Sequence, residues 1–216
     1  IGTDGGGLSK YNPQTNQFMH LKNDPQDNNS LSINRVWSVC IDNKGIIWAG
    51  TYLGGLNRIE FKNGQYQFTR YLHDAEDSTS LSSNQINTVL EDQDGTIWLA
   101  TSNGLNKLIK TDHPNNYYFK RYYQNPTDSV AFIDNYIGNI YFDSQNRFWI
   151  GSYLGGLFQF IPDKEKFIKY TPSSNKDSEF KEDIHVLKIF EDHLNNLWVG
   201  TESNGLIKYD LDSNKF

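Results

Sequence analysis

Several groups in this sequence have the types and spacing that can do chemistry. The acidic "DQDG" at residues 92–95 has the look of a calcium loop, but the rest of such a loop, including a bidentate Glu, is missing. Glycine pairs followed by leucine suggest a phosphate cradle, yet no helix or Lys follows them. Five histidines share no register, and no His-x-x-x-His pair or facial triad is visible, so no metal site and no cofactor is read here. Cys40 has no second thiol and no recurring base near it, and reads as a small core residue. Four tryptophans could form a sugar-stacking ladder, but their spacing gives them another role.

Trp48, Trp98, Trp149 and Trp198 stand 50, 51 and 49 residues apart. Each precedes a small-small-hydroxyl step such as Ala49-Gly50-Thr51, then a glycine turn and leucine such as Gly55-Leu56. Six residues before each Trp lies Asp42, Asp92, Asp143 or Asp192, and three before it Gly45, Gly95, Asn146 or Asn195. Asp opens a tight hairpin turn and Gly or Asn closes it, since those residues tolerate a left-handed backbone. The recurring Asp is thus a turn cap, the glycines are strand-to-strand turns, and the tryptophans pack at equivalent buried places between sheets.

That register predicts four short strands per copy, about 36–41, 46–51, 56–61 and 67–72 in the second. No stretch carries a helical stripe. Four antiparallel strands per unit of about 50 residues is the pattern of a β-propeller blade. The fold class is all-β, with a partial blade over 1–21, blades over 34–72, 84–122 and 134–170, and a blade lacking its outer strand over 184–216. The chain of 216 residues starts at the end of a second strand and stops where a fourth should begin, which reads as part of a longer propeller, and propellers close with about four to eight blades.

The net charge of −6 and the absence of a Lys/Arg run argue against a nucleic-acid partner or an anionic membrane. Aromatics at 14% exclude a disordered chain. No signal peptide or membrane span is recognised within these residues.

The stretch "SLSSNQINTVLEDQDGTIWLATSNGLNKL" resembles the two-component regulator propeller repeat: Ser-Leu-x-x-Asn, an apolar strand, Asp-x-x-Gly, a Trp strand and a glycine-leucine turn. "NSLSINRVWSVCIDNKGIIWAGTYLGGLNRIE" matches almost throughout. The copy over 134–170 is led by Val130-Ala131-Phe132 in place of Ser-Leu, and the last copy by "DSEFKEDIHV". The resemblance implies paired seven-bladed propellers in the periplasmic part of a hybrid two-component sensor. It also implies a homodimeric parent anchored in the inner membrane, with a histidine kinase, a receiver and often a DNA-binding module further along, and frequently an oligosaccharide ligand. Kinase chemistry would belong to that parent, not to this segment.

Positions where copies agree serve the blade; function belongs where they differ on one rim. The position before the first strand reads Arg35, Gln85, Tyr136 and His185, and two residues on come Trp37, Asn87, Gly138 and Leu187. The loops between second and third strands carry Asp4, Tyr52, Ser102, Tyr153 and Glu202. Aromatic faces plus amide and charged groups suit a carbohydrate. Arg35, Trp37, Tyr52, Gln85, Asn87, Tyr136, Tyr153 and His185 are therefore the expected ligand-binding residues. Two other readings are a propeller lyase or glycosidase, which needs convergent carboxylates, and a purely structural interaction propeller. Acidic residues here mostly mark turns and loops, which disfavours catalysis.

Overall fold

The computed structural model describes residues 1–111, 117–123, 135–170 and 184–211. His113, the Val130-Ala131-Phe132 substitution, Phe216 and most of "DSEFKEDIHV" lie outside the described residues. The chain is all-β and divides into two compact units, Ile1–Arg121 and Tyr122–Phe216. Among the described residues no helix is long and apolar enough to cross a membrane.

The first unit holds three antiparallel sheets. One is three-stranded: β1 (Gly2–Thr3), β2 (Gly7–Asn12) and β3 (Gln17–Leu21). The next is four-stranded in chain order: β4 (Val36–Ile41), β5 (Ile47–Thr51), β6 (Leu56–Lys62) and β7 (Gln65–Tyr71). The third repeats it with β8 (Ile86–Glu91), β9 (Ile97–Thr101), β10 (Gly104–Lys110) and β11 (Tyr117–Tyr122). The second unit holds the four-stranded β12 (Ile137–Phe142), β13 (Phe148–Ser152), β14 (Gly156–Ile161) and β15 (Lys166–Tyr170). Its other sheet has β16 (Val186–Glu191), β17 (Asn196–Thr201) and β18 (Leu206–Asp210). These are propeller blades.

The hairpins before each Trp strand form as their sequences dictate. Gly45, Gly95, Asn146 and Asn195 all have positive φ, at 78°, 79°, 60° and 61°. Each opening aspartate also does something the sequence reading did not include. One carboxylate oxygen accepts turn amides, and the other accepts the indole N–H of the Trp six residues on, at 2.7–2.9 Å in all four copies. A buried indole N–H needs an acceptor, and the recurring six-residue spacing supplies it.

Trp48, Trp98 and Trp149 are fully buried. Trp48 contacts the rings of Tyr71 and Tyr117, and Trp149 those of Tyr170 and Tyr209. Burial pushes the phenols of Tyr71 and Tyr209 up to about 12. Trp198 departs from the expected equivalence and is only half-buried. Among the described residues no further sheet follows β18 to cover it.

Neighbouring blades within each unit meet through small residues. A Cβ on Gly50 would come within 2.6 Å of Ile86 in the next blade. Glu91 accepts the Asn43 N–H at 2.9 Å, and Glu191 accepts the Ser144 N–H at 2.6 Å, so each caps the hairpin of the preceding blade. Cys40 is partly buried in β4 and packs against the core; burial raises its thiol pKa.

Two long loops that lead into first strands are built alike. In "DPQDNNSLSIN" (24–34) the Ser30 hydroxyl accepts the Asp24 N–H and donates to the carbonyls of Asp24 and Asp27, while Leu31 is fully buried. Asn57 on β6 accepts the Ser32 N–H, and Arg70 on β7 donates to Asp27, Ser30 and Leu31. In "DAEDSTSLSSN" (74–84) Ser80, Leu81, Ser82, Asn106 and Arg121 repeat the arrangement. The sequence before the copy over 134–170 lacks Ser-Leu, and in that copy Phe158 and Lys169 occupy the places of Asn57 and Arg70, with the ammonium 5.9 Å from the ring. Motif, Asn and Arg come and go together, which marks them as one clamp.

Candidate functional site

The rim is built on two backbone features. Every first strand carries a β-bulge near its start, with register shifts between Val36 and Ser38, Ile86 and Thr88, Ile137 and Asn139, and Val186 and Lys188. The extra residues are Trp37, Asn87, Gly138 and Leu187, which are the variable positions of the sequence. A bulge sets one side chain outside the ladder and re-aims it. The second feature is a backbone hydrogen bond from the loop after the second strand to the residue before the first. Tyr52 donates to Arg35, Ser102 to Gln85, Tyr153 to Tyr136 and Glu202 to His185, at 2.9–3.2 Å. The two variable positions are thereby held side by side in each blade.

In the first unit this gathers four residues. Trp37 is 43% exposed, a rare condition for an indole, and lies 4.5 Å from the Tyr52 ring at a tilt of 34°. The Arg35 guanidinium sits 5.2 Å from the Tyr52 centroid, and its Nε pairs with Asp4 at 3.2 Å. Gln85 donates to the Asn87 side chain at 3.2 Å, and the Ser83 and Ser102 hydroxyls meet at 2.8 Å.

In the second unit Tyr136 and Tyr153 lie 5.5 Å apart, and Tyr153 lies 4.8 Å from the His185 ring. Glu202 Oε2 accepts the Tyr153 hydroxyl at 2.6 Å and pairs with His185 Nδ1 at 2.9 Å. The Tyr153 hydrogen bond, followed by that of His185, holds the Glu202 carboxyl below its ordinary range. The same bond raises the Tyr153 phenol.

The structure thus joins Arg35, Trp37 and Tyr52 in one unit, and Tyr136, Tyr153 and His185 in the other. Gln85 and Asn87 pair with each other. The contacts of Asp4 with Arg35 and of Glu202 with Tyr153 join different copies and carried no sequence signal, whereas Glu202 and His185 lie 17 residues apart in one copy, at the spacing that recurs between the two variable positions of each blade. Gly138 varies for a packing reason: a Cβ there would meet the Val186 carbonyl at 2.9 Å. Among the described residues no group of three His, Cys, Asp or Glu could hold a metal ion.

A family profile described as the two component regulator propeller matches residues 30–53, 80–103 and 131–154. The first two matches run from the lead-in loop through the Trp strand, and the third likewise extends past its Trp strand β13. These three stretches carry the two-component regulator propeller repeat. A 63-residue stretch, 29% of the chain, is 38% identical to Histidine kinase P4 of Formosa agariphila and covers 4% of that protein. Among solved structures, the repeats are similar to the extracellular domain of a hybrid two-component system from B. thetaiotaomicron. There the TM-score is 0.59 and the identity 24%, over 85% of this chain and 29% of that one. They are also similar to PorZ, a surface component of the type-IX secretion system of Porphyromonas gingivalis. In that case the TM-score is 0.71 and the identity 18%, over 99% of this chain and 31% of that one. The propeller repeats therefore span less than a third of each of these relatives.

Proposed function

We propose that this chain is part of the periplasmic sensor of a hybrid two-component signalling protein, binding an oligosaccharide and relaying that event to a histidine kinase elsewhere in a dimeric parent. The repeat family supports the signalling assignment. The observation that carries ligand recognition is Trp37, an exposed indole set out by a bulge and laid against Tyr52. Such a platform offers a flat apolar face to a pyranose ring, and the polar groups beside it fix orientation. Remaining blades of the parent would complete the propeller, and the kinase step would lie outside this segment.

Calorimetric titration of the intact protein against candidate glycans tests the reading. Trp37→Ala and Tyr52→Ala should each weaken binding by about 1–3 kcal/mol if they are anchors. Folding should be little changed, because both side chains sit outside the sheet core. Equal affinities in wild type and both variants would overturn it.

A further inference from the structure

Among the described residues, each unit carries an exposed carboxylate contact beside the tyrosine of a Tyr-Leu-Gly-Gly loop, Asp4 with Arg35 and Glu202 with His185. Asp4 and Arg35 touch through Oδ1 and Nε alone, leaving the two Nη groups and Oδ2 with no other partner among the described residues. Glu202 and His185 touch through Oε2 and Nδ1, leaving Oε1 and Nε2 likewise. The Asp4 and Arg35 side chains are 63% and 50% exposed and the Glu202 side chain 48%, while His185 is 26% exposed, so the carboxylates and the guanidinium face solvent and the imidazole reaches it in part. Beside one pair lies the Tyr52 ring, and beside the other the Tyr153 ring.

In the first unit a donor (Arg35 Nη) and an acceptor (Asp4 Oδ2) lie side by side next to an aromatic face and complement a vicinal diol; in the second, Nδ1–H donates to Glu202, so a neutral His185 presents Nε2, like Glu202 Oε1, as an acceptor for sugar hydroxyls. Each sugar hydroxyl can both donate and accept, and bonds to charged partners are the stronger kind. A uronate or sulfate offers acceptors only. It would gain the Nη donors of Arg35 but bring a second anion against Asp4, and in the other unit against Glu202, on a chain already at −6. We infer that each unit's rim takes an uncharged, hydroxyl-rich oligosaccharide, and that the carboxylates of Asp4 in the first unit and Glu202 in the second select against acidic glycans. This rests on the sugar-binding reading above and narrows it.

The test is an array of size-matched oligosaccharides, with neutral xylan, mannan, galactan and β-glucan fragments beside polyuronates and sulfated galactans. It is probed with the protein and with its Asp4→Asn and Glu202→Gln variants. Neutral members should be bound, with acidic members at least about tenfold weaker, and each variant should lose about fivefold toward the neutral ligand while gaining toward acidic ones. Preferential binding of acidic members by wild type, weakened by salt, would overturn the inference while leaving the sugar-binding reading intact. Binding of no glycan in either class would overturn both. Unchanged discrimination in the two variants would show that the carboxylates are not the selecting groups.

Discussion

Asp92 offers the sharpest test of how the blade is held together. Its carboxylate accepts the N–H of Asp94 at 3.0 Å, the N–H of Thr96 at 2.8 Å and the indole N–H of Trp98 at 2.8 Å. In Asp92→Ala the two turn amides can turn to water, because Asp94 is exposed and Thr96 half-buried. The indole cannot, since Trp98 is 1% exposed. Stranding a buried donor costs about 1–3 kcal/mol, and with the lost turn bonds the variant should be destabilised by about 2–4 kcal/mol. Asp92→Asn should be no rescue: its oxygen can serve the turn or the indole, but its NH₂ then faces the other donor. Trp98→Phe removes the N–H and keeps most of the ring. A double-mutant cycle between Asp92→Ala and Trp98→Phe should return a coupling of about 1–3 kcal/mol. Urea denaturation followed by far-UV circular dichroism gives all four stabilities. A coupling within error of zero, or Asp92→Ala within about 0.5 kcal/mol of wild type, would refute the claim that the recurring Asp secures the recurring Trp.

Three further outcomes follow from the geometry. Gly50→Val should destabilise by about 1–3 kcal/mol or more in the same urea assay, because its Cβ alone would sit 2.6 Å from Ile86 in the next blade. Arg70→Ala and Arg121→Ala should each open a lead-in loop, read as loss of hydrogen-exchange protection over 24–34 or 74–84; the same change at Lys169, which faces Phe158 instead, should leave both loops protected. The Glu202 carboxyl is held low by Tyr153 and His185, so it stabilises the fold above the unfolded glutamate value of about 4.3, and that stability is lost as pH falls through its lower folded value. The stability gap between wild type and Glu202→Gln should therefore shrink on titrating from pH 7 into that acid range.

Blade architecture was legible because it is written several times over. A Trp, an Asp six residues earlier and a Gly or Asn between them fix turn, strand and register in every copy, and the structure follows at Gly45, Gly95, Asn146 and Asn195. What the pattern withheld was pairwise. The Asp-to-indole bond has a constant spacing and could have been read from it, whereas the Asn57–Ser32 and Arg70–Ser30 bonds bridge 25 and 40 residues and show only as co-occurrence across copies. Trp198 was misjudged because burial depends on a neighbouring sheet, which no local pattern encodes. The variable positions were visible as variation, but their cross-copy partners, Asp4 for Arg35 and Glu202 for Tyr153, emerge only when separate segments are brought together.

The bulge that sets out Trp37, Asn87 and Leu187 separates two kinds of selection within a single strand. Its neighbours Val36, Ile86 and Val186 are buried and paired, so a substitution there is felt by the whole sheet. The bulged residue stands outside the regular register of the ladder and can change type without shifting that register. A lineage can therefore alter what a blade touches one residue at a time, with the folding free energy nearly constant. Where the next strand presses on the bulge, as at Gly138, that freedom closes, and the blade gives up a recognition position to keep its contact with its neighbour.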